Sequence, residues 1–277
     1  MNFNAYPFNK EQIEARIDNL TGQKPSDADW NKALQLIFSC IDLTTLEATD
    51  NSDRIAAFCE KALAYQKADV SVAALCIYSP FLNQAKTLIE DSGIQLATVA
   101  CAFPTGQMPL ELKLKEVEFA VAQGADEVDM VISRGTFLQG DYDTVFEEIK
   151  AVKKSCGPAH LKVILETGEL STVDNIRRAS EIALLAGADF LKTSTGKVSP
   201  AATPIAAVVM LDSIAEYHEK TGKKVGFKPA GGIADPETAY SYYLLVKDIL
   251  GEDWLNNKLF RIGASRLADK VFELIKA

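Results

Sequence analysis

Residues 187–197 read Gly187-Ala188-Asp189-Phe190-Leu191-Lys192-Thr193-Ser194-Thr195-Gly196-Lys197. The stretch opens like the end of a helix, because glycine most readily takes the left-handed turn that follows one. It continues as a short apolar strand and closes on another glycine. The same opening phrase, Gly124-Ala125-Asp126, precedes Glu127-Val128-Asp129-Met130-Val131. A helix stop followed at once by a strand is the joint of a repeated βα unit. Working outward, apolar or β-branched runs predict strands at 38–44, 70–77, 95–101, 127–132, 160–166, 190–195, 224–230 and 259–265. Their nearly continuous apolar character is that of parallel strands covered on both faces.

Helical signals lie between them. Ser79-Pro80 places a capping residue before a first-turn proline, and Ser171 precedes the apolar stripe Ile176, Ala179, Ala183 and Ala186. Val145, Ile149 and Val152 form a similar stripe after Asp143. Eight units about 30 residues apart, with no G-x-G-x-x-G after the first strand, predict a TIM (β/α)8 barrel rather than an open doubly wound sheet. The 277 residues fit one such domain. Residues 1–36 fall outside the repeat; helices at 11–20 and 27–37 are expected to cap the bottom of the barrel as an N-terminal extension.

The formal net charge of -9 argues against duplex nucleic acid or an anionic membrane as partner. Met1-Asn2-Phe3-Asn4-Ala5 lacks the basic stretch and apolar run of a secretion signal, and no apolar run approaches the roughly 18 residues of a membrane span. The odd set Cys40, Cys59, Cys76, Cys101 and Cys156, widely spaced and mostly within apolar runs, reads as buried thiols of a cytoplasmic protein. His160 and His218 stand far apart, so no protein-bound metal is expected.

The informative feature is charge inside strands. A closed parallel barrel offers a lone charge no favourable place. Yet Asp42, Asp129, Lys162 with Glu166, Lys192 and Lys228 all fall in predicted strands, towards the C-terminal ends where barrel active sites form. Lys192 is expected mid-strand with Ser194 on the same face, and Lys228 beside it on the next strand. Two ammonium groups in a partly desolvated site lower each other's pKa, and a neutral amine is a nucleophile towards a carbonyl. Asp129 and Asp42 either neutralise the lysines or move protons. Lys162 is read as electrostatic support, and Glu166 as its partner across the barrel.

Gly231-Gly232 after the seventh strand and Gly263-Ala264-Ser265 at the end of the eighth sit where barrels frequently hold phosphate. Gly196 and Lys197 add an amide and a cation. Cys76 is expected near the same pocket as a buried thiol.

These segments resemble the deoxyribose-phosphate aldolase family. The likeness runs in order through Asp42-Leu43-Thr44-Thr45-Leu46, Ala74-Leu75-Cys76-Ile77-Tyr78, 124–129, 161–170, 192–197, 226–232 and 261–265. It implies a TIM barrel that reversibly splits 2-deoxy-D-ribose 5-phosphate into D-glyceraldehyde 3-phosphate and acetaldehyde, with no metal or organic cofactor. It further implies Lys192 as the Schiff-base lysine, Lys228 as the lysine that tunes it, Asp129 as the proton-relay carboxylate and Asp42 as a supporting acid. Lys197, Gly231, Gly232, Gly263 and Ser265 match phosphate-contacting positions, and a homodimer is the assembly implied. Arg266 stands where some members carry a second serine. The last tyrosine is Tyr243, whereas some bacterial members end on a tyrosine tail. The residues alone also fit another imine-forming barrel enzyme, acting on a different phosphorylated aldehyde or keto acid, or a non-catalytic phosphosugar-binding barrel.

Overall fold

A computed structural model describes residues 2–22 and 25–276. Met1 and Ala277, which the readings of the two chain ends touch, lie outside the described residues. Eight parallel strands form the inner layer: β1 (Ile41–Thr44), β2 (Ala74–Ile77), β3 (Gln95–Ala100), β4 (Glu127–Val131), β5 (His160–Ile164), β6 (Phe190–Lys192), β7 (Gly226–Lys228) and β8 (Ile262–Ala264). Each pairs with its sequence neighbour, and β8 pairs with β1. Isolated bridges Phe227–Phe260 and Ala230–Gly263 join β7 to the β8 segment and complete the ring. The fold is the expected TIM barrel.

The helices are α1 (Lys10–Thr21), α2 (Asp27–Ser39), α3 (Ser52–Gln66), α4 (Leu82–Leu88), α5 (Leu110–Ala122), α6 (Arg134–Leu138), α7 (Tyr142–Ser155), α8 (Thr167–Leu170), α9 (Val173–Leu185), α10 (Pro204–Thr221), α11 (Pro236–Leu250) and α12 (Leu267–Lys276). Among the described residues, no helix is long and apolar enough to cross a membrane. The N-terminal helices contact the outer layer, α1 on α10 and α11, and α2 on α11 and α12. Tyr6 and Arg16 fasten the extension to Asp212 of α10, at 2.7 and 2.9 Å.

The recurring Gly-Ala-Asp phrase works the same way twice. Gly124 and Gly187 take φ of +99° and +96°, ending α5 and α9. The aspartate then grips both backbone groups of a leucine on the preceding strand. Asp126 N–H donates to the Leu96 carbonyl and its Oδ2 accepts from Leu96 N–H, both at 2.8 Å. Asp189 does so to Leu161 at 2.9 and 2.7 Å. Each aspartate therefore pins the register at the bottom of its strand pair.

Several boundaries differ from expectation. Thr172, not Ser171, caps α9, because its hydroxyl reaches Asn175 N–H while Ser171 is spent on the left-handed turn closing α8. Ser79 makes no side-chain cap; with Pro80 it belongs to a 3-10 turn. β6 ends at Lys192 because the Thr193 hydroxyl then takes over the ladder, accepting from Ala230 N–H at 3.0 Å. The chain above is thereby released into loops around a cavity.

Candidate active site

Six ionisable side chains from five strands, joined by Arg261 just before β8, meet inside the barrel: Asp42, Glu127, Asp129, Lys162, Lys192 and Lys228. All are buried; even Lys192 is only 3% exposed. Their contacts skip strands, which is possible only through the interior. Lys192 Nζ on β6 donates to Asp129 Oδ2 on β4 at 2.7 Å. Lys228 Nζ on β7 donates to the same oxygen at 2.7 Å and lies 2.5 Å from Asp42 Oδ2 on β1. Lys192 and Lys228 are in register, as expected.

The lower tier holds Lys162, which donates to Asp129 Oδ1 at 3.1 Å and to Glu127. Arg261 donates to Asp42 at 2.7 Å and to both oxygens of Glu127, at 2.7 and 3.0 Å. The interior is thus divided. β4 to β8 supply most of the charge, while Leu46, Ala74, Cys76, Ala97 and Val99 form a small apolar cluster on the other side.

The two lysines do not perturb each other symmetrically. Burial disfavours the charged form of both. For Lys192 it prevails, aided by the neighbouring Lys228 cation and opposed mainly by Asp129, so the amine sits below its ordinary pKa. For Lys228, Asp129 and Asp42 together outweigh burial, and its ammonium is held above the ordinary range. The expectation of mutual lowering is corrected: carboxylate contacts keep one lysine charged, and that fixed charge helps discharge the other. Burial also opposes ionisation of Asp129, but Lys162, Lys192 and Lys228 overcome it and hold the group well below the usual carboxylate range.

Lys192 is the member of this cluster that lines a cavity of about 240 Å³ at the C-terminal ends of the strands. Gly196, Lys197, Gly231, Gly232, Gly263, Ser265 and Arg266 line it too. A Cβ on Gly231 would come within 2.9 Å of the Gly196 Cα, so the β6 and β7 loops meet more closely than any side chain there allows. Lys197 reaches across to Glu47, 3.3 Å away, in a partly exposed pair of small energetic value. Cys76 is fully buried within the barrel but is not one of the residues lining the cavity, and burial raises its thiol pKa.

Glu166 departs most from expectation. It does not pair with Lys162. The chain turns there with φ of +57°, and the carboxylate accepts from the Thr195 hydroxyl at 2.5 Å and from Arg134 at 3.1 Å. Arg134 also donates to the carbonyls of Pro104 and Thr105, each at 3.0 Å. One carboxylate–guanidinium pair therefore ties the loops after β3, β4, β5 and β6. Glu127 and Arg261 went unread as site residues, although Glu127 alternates with Asp129 along β4 and carries the same signal of charge within a strand.

A model of the DeoC/LacD family aldolases matches residues 37–241. The human deoxyribose-phosphate aldolase is 42% identical over 274 residues, covering 94% of this chain and 84% of that one. Its Agrobacterium fabrum counterpart is 44% identical, over 88% and 92%. The tetrameric deoxyribose phosphate aldolase of Aeropyrum pernix superposes with a TM-score of 0.70 at 25% identity, over 91% and 99%. Fold, buried lysine pair and sequence likeness agree, and the chain belongs to the DeoC/LacD family of aldolases.

Proposed function

We propose that the chain reversibly cleaves 2-deoxy-D-ribose 5-phosphate to D-glyceraldehyde 3-phosphate and acetaldehyde through a Schiff base on Lys192. The observation that carries this reading is a single amine, pushed towards its neutral form, that alone in its charge cluster lines the glycine-walled cavity at the C-terminal ends of the strands. The names of the relatives point to the same substrate.

Neutral Lys192 attacks the C1 aldehyde of the open-chain sugar to give a carbinolamine, which takes up one proton from solvent and loses water to leave a protonated imine. Asp129, 2.7 Å from the amine but not among the residues lining the cavity, takes the proton of the C3 hydroxyl through one water. The C2–C3 bond breaks, its electron pair flows into the imine as an enamine, and glyceraldehyde 3-phosphate departs. The proton held by Asp129 returns through the water to C2 and regenerates the protonated imine, and water hydrolyses it to acetaldehyde and neutral Lys192, releasing to solvent the proton taken up on imine formation. Lys228 stays charged throughout and favours the uncharged amine at the start. The phosphate is assigned to the amides around Gly196, Gly231, Gly232 and Gly263 with Ser265, and to the cations Lys197 and Arg266. A cytoplasmic homo-oligomer is part of the same reading; all five cysteines are unpaired and buried.

The test is acetaldehyde release from deoxyribose 5-phosphate. The wild type releases it, and Lys192→Ala loses the rate on the order of a thousandfold or more. Cleavage by Lys192→Ala at the wild-type rate contradicts the assignment.

A further inference from the structure

The charged groups packed around Lys192 come from every side of the barrel's interior. β1 gives Asp42, β4 Glu127 and Asp129, β5 Lys162, β7 Lys228, and the segment before β8 gives Arg261. Cys76 on β2 faces the cluster as an uncharged thiol, since burial raises its pKa. Leaving Lys192 aside, the three carboxylates meet three cations that hold their protons. The group is then electrically neutral only when Lys192 carries no charge; a protonated Lys192 leaves one surplus buried positive charge, which the interior resists.

Glu127 and Arg261 lie at the base, away from the cavity, and neither is bonded to Lys192. They reach it by two routes that converge on Asp129. One runs from Arg261 through Asp42 and Lys228, over contacts of 2.7, 2.5 and 2.7 Å. The other runs from Glu127 through Lys162 to Asp129 at 3.1 Å. We propose that Glu127 and Arg261 are positioning residues whose opposite charges complete this balance, so that the base of the barrel sets the charge state of the amine at its mouth. The proposal rests on the reading of Lys192 as the Schiff-base nucleophile.

The experiment is the pH dependence of kcat/KM for deoxyribose 5-phosphate cleavage, together with borohydride labelling of Lys192 in each protein. Arg261→Gln leaves the cluster one negative charge in excess, so Lys192 keeps its proton to higher pH. The rising limb of the profile then moves up by about one unit. Glu127→Gln moves it down by a similar amount. The double variant restores the balance and returns the limb to its wild-type position. A purely structural role for the pair gives loss of activity without opposed shifts. Where Arg261→Gln does not fold, Glu127→Gln and the double variant still decide, because the second must reverse the shift of the first. Unmoved limbs, or limbs moving in the same direction, with Lys192 still labelled, overturn the balance while leaving the nucleophile in place. An unlabelled Lys192 in the active wild type overturns the underlying reading instead.

Discussion

The ammonium of Lys228 touches two carboxylates and that of Lys192 one. This difference predicts unequal losses of stability for the same substitution. Lys228→Met leaves Asp42 and Asp129 under-compensated in the interior and is expected to cost about 3–5 kcal/mol, read as a lower urea midpoint. Lys192→Met removes an amine that burial already disfavours in its charged form, and Asp129 keeps Lys162 and Lys228. The change in stability is expected to stay under about 1 kcal/mol while cleavage is lost. A Lys192→Met protein as unstable as Lys228→Met would mean that Lys192 is a structural cation.

Among the elements, loops do what strands cannot. Gly231 has φ of +83° and contacts Gly196, so Gly231→Ala both strains the backbone and pushes the β6 and β7 loops apart. KM for the phosphorylated sugar is expected to rise on the order of tenfold or more, with a smaller effect on unphosphorylated deoxyribose; equal effects on both would place the phosphate elsewhere. Arg134→Ala, which releases the clamp on Glu166 and on the β3 loop, is expected to act in the same direction. These devices also mark where sequence reading stops. Strands such as Ala74-Leu75-Cys76-Ile77 are legible because burial on both faces demands an unbroken apolar run. Lys192, Lys228 and Asp129 are legible because charge within such a run needs a reason. Glu166 looks like one more strand carboxylate until the backbone turns left-handed at that residue, and no pattern of side chains announces such a turn. Glu127 and Arg261 stand at strand margins, where charges ordinarily face water. Ser171 and Thr172 are both good caps, and only geometry chooses between them.

For the whole molecule, the cluster couples folding to pH. Burial opposes the charge on Asp42 and Asp129, yet their cationic partners hold both below the ordinary 3.8, so their contribution is present above that pH and lost as pH falls further. Lys162 and Lys228 lie above the ordinary 10.5, so theirs is complete below that pH and lost as pH rises through the folded value. Lys192 runs the other way. Its folded pKa is depressed, the unfolded chain binds more protons, and stability climbs with pH between the folded value and 10.5. Urea midpoints should therefore fall below about pH 4 in both wild type and Lys192→Met. They should rise into the alkaline range more in the wild type than in Lys192→Met, and identical alkaline slopes would contradict a depressed Lys192. The most direct measurement is borohydride reduction in the presence of deoxyribose 5-phosphate or acetaldehyde, followed by peptide mass mapping. A reduced adduct on the peptide carrying Lys192 is the predicted result; an adduct on Lys228 instead, or an active enzyme with Lys192 unmodified, would contradict the account.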